Sequence, residues 1–146
     1  MKKLIKLTKL LALLAVVCSL GIWLSPGLRA KIGLTIDDSD MIERAYADHT
    51  SNIMVETNAV VTLIKPDLDD LERSQVFVAT LDNGHRVEIM HNLDVAQGVP
   101  VVRGAKIRVR GEYDWTPQGG VIHWTHNDPT GQREGGWIEY EGKRYF

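Results

Sequence analysis

Two histidines, a tryptophan and an aspartate fall within six consecutive residues, His123-Trp124-Thr125-His126-Asn127-Asp128, the densest group of chemically able side chains in the sequence. Neutral imidazole nitrogens and carboxylate oxygens are common ligands for zinc and related divalent ions. With His91, which ends an upstream strand-like run beside Asn92, they give a candidate metal set of His91, His123, His126 and Asp128. An ion held there would activate a bound water, the chemistry of a metal-assisted hydrolase. Strand parity works against the simplest version, because residues 123 and 126 point to opposite faces unless the chain bends between them. Asp128-Pro129 favours a turn only just beyond. Without that bend the histidines serve as hydrogen-bonding partners beside Trp124, and no cofactor is firmly implied.

The second candidate chemistry is stacking. Tyr113, Trp115 and Trp124 lie near a stripe of Lys106, Arg108 and Arg110. Aromatic faces beside positive charge are how small barrels hold single strands or sugars, so Tyr113, Trp115, Trp124, Arg108 and Arg110 form a candidate ligand-binding set. The competing use of the same residues is packing: indoles plug cores and alternating charges form a solvated face. Carboxylates also recur in pairs, at Asp67, Asp69, Asp70 and Glu72 and again at Glu112 and Asp114. The first group lies in a turn-like loop that lacks the glycine and terminal glutamate of a calcium hand loop. The sequence contains neither a glycine-rich phosphate loop nor a nucleophile-elbow serine.

The elements that must position these groups are mostly strands. Asp37-Asp38-Ser39-Asp40 supplies N-cap oxygens ahead of a short helix, in which Met41 and Ala45, and beside them Ile42 and Tyr46, recur four apart. Strand signals follow at 59–64, 75–81, 85–91, 105–113 and 121–125, with a final hairpin at 136–140 and 143–146 turning at Glu141-Gly142. Asp82-Asn83-Gly84 is a hairpin turn signal. Along Lys106 to Arg110, Ile107 and Val109 share one face while Lys106, Arg108 and Arg110 share the other. Five main strands in this order predict a mainly β fold, a small five-stranded barrel of the oligonucleotide/oligosaccharide-binding (OB) kind preceded by a short helix. The domain reading is residues 1–30 as an export segment, 31–54 as a helical lead-in and 55–146 as the barrel.

Lys2, Lys3, Lys6 and Lys9 precede a near-unbroken apolar run from Leu10 to Leu24, the layout of an export signal. A helix over that run spans about 22 Å, against about 30 Å of hydrocarbon, so it reads as a cleaved signal or, with Lys9 and Trp23 at the interfaces, as a short retained anchor. Either way the domain is expected outside the cytoplasmic membrane, periplasmic or anchored facing the exterior, with the membrane as a partner if the segment is uncleaved. Beyond residue 30 there are 12 basic and 19 acidic residues, a formal charge of −7. Such a domain is repelled by phosphate backbones, which argues against general nucleic-acid binding. The only cysteine, Cys18, lies in the apolar run, so the barrel needs neither thiol nor disulfide.

Gly111-Glu112-Tyr113-Asp114-Trp115, the run from Gly119 to His126, Asp128-Pro129, Gly135-Gly136-Trp137-Ile138 and the upstream His91-Asn92-Leu93-Asp94 together resemble domain of unknown function 3465, a bacterial family of small exported proteins. The resemblance covers roughly 55–145 and implies export without implying an activity. The chain departs from the family pattern at Ser74, Asn127 and Glu134, where the family often carries histidine, leaving His91, His123 and His126. The expectation is a non-enzymatic binding or envelope-associated module, with the metal-assisted hydrolase as the alternative.

Overall fold

The computed structural model describes residues 36–69 and 73–146. The expected export segment and residues 70–72 of the acidic loop lie outside the described residues. From Asp37 to Phe146 the chain forms one compact unit. Helix α1 (Ser39–Ala47) is followed by β1 (Ile53–Ile64), β2 (Leu68–Asp69), β3 (Arg73–Leu81), β4 (Arg86–Asn92), β5 (Lys106–Asp114), β6 (Val121–His123), β7 (Trp137–Tyr140) and β8 (Lys143–Tyr145). No helix among the described residues is long and apolar enough to cross a membrane.

Five strands close on themselves in the order β1-β3-β4-β6-β5, and β5 pairs back onto β1. All the ring pairings are antiparallel except β4 with β6, where Glu88 lies opposite Val121 and Ile89 opposite Ile122. This is the small closed barrel that the strand count implies. β7 extends the sheet from the first half of β5, and β8 pairs onto β7.

Period-two burial builds the interior. On β5, Ile107, Val109, Gly111 and Tyr113 face inward, while Lys106, Arg108, Arg110, Glu112 and Asp114 take the outward positions. Val61, Phe77, Val87, Ile89, Ile122 and Ile138 meet them from the other strands, each at most 1% exposed. Each such side chain contributes about 1.5–3 kcal/mol by leaving water. From α1, Ile42 and Ala45 add to this core, with Met41 packed at its edge.

Three local details differ from the sequence expectation. Of the acidic residues ahead of α1, Asp37 accepts the Ser39 amide at 2.9 Å, but the Asp38 carboxylate turns away to the Glu56 amide of β1 at 2.8 Å. The helix start is thereby clipped to the barrel. A bulge at Thr62 shifts register between Val61 and Leu63, so Leu63 and Ile64 end up exposed despite their β-branched, apolar run. In the β3–β4 turn only Gly84 adopts positive φ, at 88°, while the Asn83 side chain accepts the His85 amide at 3.0 Å.

Candidate functional site

β6 is short because Trp124 leaves the strand with φ of 52°. Left-handed backbone at a bulky residue is costly and persists only where its surroundings enforce it. Here Gly136 does so. Its amide donates to the His126 carbonyl at 2.8 Å, and a Cβ at that position would stand 2.1 Å from the Trp124 carbonyl oxygen. The expected strand to Thr125 therefore stops at His123, and the Trp124 indole projects outward, 37% exposed.

The rings of His123 and His126 flank this indole at 6.2 and 5.4 Å, and the Arg133 guanidinium lies over it at 4.7 Å. On one side of Trp124 is a hollow of about 390 Å³, with Met90, Val121, Val95 and Pro129 as its apolar lining and Asn92 and His123 as polar neighbours. Met90 and Val121 also line a hollow of about 750 Å³ that continues past Val78 and Glu88 to Lys65 and Leu63. Trp124 borders a third, of about 290 Å³, with Met54, Glu112 and Arg133. The outer face of β4 and β6 thus carries a groove of two adjoining hollows that share Met90 and Val121, with the Trp124 indole on the wall of one.

The four candidate metal ligands are not gathered at one point. His91 is 0% exposed, with Nδ1 2.8 Å from the Thr125 hydroxyl and Nε2 3.0 Å from the Gln97 carbonyl. The carbonyl requires the proton on Nε2, while the single Thr125 hydroxyl proton is shared between His91 Nδ1 and the Met90 carbonyl, 3.2 Å away. Burial pushes the His91 pKa down, and the positive field of His126 adds to it, against hydrogen bonds to Gln97 and Thr125. The His126 Nδ1 donates to the Asn127 carbonyl at 2.7 Å. Asp128 is committed to its own loop, accepting the Thr130 amide and hydroxyl and the amides of Gln132 and Arg133. The Thr130 amide first, then its hydroxyl and the Arg133 amide, pull the Asp128 pKa down to about 2. Among the described residues, the only histidine, cysteine or acidic side chains that bring three ligand atoms together are Glu112, Asp114 and His123.

The five-residue stacking set is likewise divided. Tyr113 points into the core, 0% exposed, where its hydroxyl donates to the Gly119 carbonyl at 3.3 Å and burial raises the phenol to about 12. Trp115 packs on His49 at 4.3 Å and Tyr46 at 6.4 Å, its indole nitrogen buried without an acceptor. Arg108 and Arg110 both bind Glu56, and Arg110 also binds Glu134. The expected wet, basic side of β5 is therefore neutralised and largely covered at these two arginines. The aromatic partner of Arg108 is Trp137, with the guanidinium 5.7 Å from the ring, and Arg144 lies at 4.0 Å from the same ring. Of the set, Trp124 faces a hollow and is 37% exposed.

Sequence reasoning passed over Met90, Val121 and Arg133, and noted Glu112 and Asp114 as a carboxylate pair without joining them to His123. A countable signal existed for Glu112. If the β5–β6 hairpin pairs Asp114 with Val121, then Glu112 must oppose His123, as it does.

Searches of the curated proteins and of the solved structures gave no match. The helix, the closed ring and the Trp124 segment all fall within residues 28–146, which match the family described as Protein of unknown function (DUF3465), and the chain belongs to that family.

Proposed function

We propose that this chain is an exported, non-enzymatic binding module that holds a neutral, ring-bearing ligand, such as a sugar unit of a glycan, on the outer face of β4 and β6. The observation that carries this reading is the Trp124 indole, held outward on a left-handed backbone at the end of a groove floored by Met90 and Val121. An indole face beside apolar side chains suits the C–H face of a ring, and polar neighbours such as Asn92 and His123 suit its hydroxyl rim. Charge offers a polyanion little: Lys65 is paired with Glu88 and Arg133 lies on the indole, which leaves Arg86 as the groove cation outside the ion pairs of the described residues. The non-enzymatic reading is supported by His91 and Asp128, whose polar atoms are engaged in holding neighbouring segments, and by His126, whose Nδ1 holds the Asn127 carbonyl. Export to a periplasmic or membrane-tethered position is supported by the lysine-flanked apolar run near the N-terminus.

The binding test is a titration with neutral oligosaccharides, followed by tryptophan fluorescence in the full-length chain and in Trp124→Ala. Saturable quenching that disappears in the variant supports the reading; equal affinity in both sinks it. Export is tested separately with a C-terminal alkaline phosphatase fusion, which should be active in intact cells and inactive if the barrel stays inside.

A further inference from the structure

We propose that Glu112, Asp114 and His123 form a site for one divalent transition-metal ion of the zinc class, on the outer face of the β5–β6 hairpin. Register brings them together. Glu112 lies directly opposite His123 and Asp114 opposite Val121, so the two carboxylates, two residues apart on β5, leave the sheet on the same side as the imidazole. Strands rather than loops hold all three ligands, which favours a fixed geometry.

The distances suit one ion. His123 Nε2 is 2.9 Å from Asp114 Oδ2 and 3.8 Å from Glu112 Oε1, and the three ligand atoms all lie within 4.8 Å of one another. Ligands bonded at about 2.0–2.2 Å to a shared ion stand roughly 3.0–3.5 Å apart. The two distances to the imidazole bracket that spacing, and the carboxylate oxygens, within 4.8 Å of each other, would close by up to about 1 Å around an ion.

Each carboxylate is also steadied from behind. Asp114 Oδ1 accepts the Asn52 amide at 2.9 Å, and Glu112 Oε2 lies 3.7 Å from the Arg133 guanidinium. One oxygen of each is left facing the imidazole. Outer partners of this kind orient metal ligands and are part of a working site. The side chains are 23–32% exposed, with His123 lining the 390 Å³ hollow and Glu112 the 290 Å³ one, so water can fill the remaining coordination positions. Two carboxylates neutralise a dication, and the imidazole nitrogen favours zinc-class ions over calcium or magnesium, which prefer oxygen throughout. The site does not depend on the groove binding a sugar, and metal alone tests it.

The full-length chain, free of any polyhistidine tag and kept in non-ionic detergent, is stripped with chelator and titrated calorimetrically with zinc chloride. The expected result is one ion per chain with micromolar or tighter affinity. Glu112→Gln, Asp114→Asn and His123→Ala should each weaken binding at least about tenfold, while His49→Ala leaves it within about twofold of the parent. Unchanged circular dichroism in Glu112→Gln, the most conservative of the three, separates loss of a ligand from loss of fold. No saturable zinc uptake, or uptake that survives all three substitutions, overturns the site and leaves His123 and Asp114 as a simple ion pair.

Discussion

Gly120 offers a quantitative test of how the barrel positions its site. It has φ of 96°, and a Cβ there would stand 2.2 Å from Cε2 of the Tyr113 ring and 2.4 Å from its hydroxyl oxygen. Gly84 has nearly the same backbone, φ of 88°, but nothing lies within 4 Å of its Cβ position. Alanine at either site carries the backbone cost of positive φ, about 1–3 kcal/mol. Only at Gly120 is there a second cost. Tyr113 is wholly buried and cannot swing aside, so overpacking adds about 1–3 kcal/mol. Gly84→Ala should therefore cost about 1–3 kcal/mol and Gly120→Ala about 2–6, a large part of the 5–15 kcal/mol typical of a domain. Urea denaturation of both variants measures the difference, and thermal melts should separate them by roughly 10 °C. Failure of Gly120→Ala to fold where Gly84→Ala folds is the same result at its limit. Equal losses in the two variants would refute the claim that the Tyr113 ring forbids a side chain at residue 120.

Further predictions concern charge. The His91 pKa lies below its ordinary 6.5 in the folded chain, so the unfolded chain binds the extra proton first. Stability should be flat above pH 6.5, fall as pH drops from there towards the lower folded value, and lose that slope in His91→Gln; denaturation midpoints at several pH values check it. Asp128 titrates at about 2 when folded against an ordinary 3.8, so its stabilising effect should be full above pH 3.8 and lost as pH falls through about 2. A carboxyl resonance of Asp128 with its midpoint near 3.8 would contradict the loop geometry. Glu56→Ala takes the carboxylate from Arg108, 18% exposed at its side chain, and one of the two from Arg110, 15% exposed and still held by Glu134, and should cost about 3 kcal/mol in equilibrium unfolding. A loss under about 1 kcal/mol would mean that solvent already screens the cluster.

The parts legible in the sequence were those governed by short-range periodicity. The alternation along Lys106 to Arg110 gave the correct inner and outer faces, and the dipeptide Glu141-Gly142 gave the last turn, where both residues adopt positive φ. The strand parity that set His123 and His126 on opposite faces lapses at Trp124, where the chain leaves the strand, and the three-ligand group among the described residues holds His123 without His126. What stayed hidden depends on contacts between distant residues. Nothing near Trp124 announces its left-handed backbone, which is enforced by Gly136 twelve positions later. Glu56 gave no sign that it would neutralise Arg108 and Arg110, because that pairing needs β1 and β5 to be neighbours across the ring closure. The groove floor, too, joins Met90 on β4 to Val121 on β6 through a parallel pairing that no hairpin pattern reveals.

The seam between β1 and β5 has a kinetic consequence. It pairs Ile53 through Val60 with Tyr113 back through Lys106, residues that begin far apart in the chain and share no turn. β1 and β3 can zip early through a nearby connection, but the cylinder cannot shut until β5 has been synthesised and β6 has slotted between it and β4. Sequence-distant pairings of this sort place such folds among the slow ones, at milliseconds to seconds. A growing chain would therefore expose the unsealed edges of β1 and β4 until nearly its last strands emerge, and refolding speed should respond most to substitutions along that closing seam.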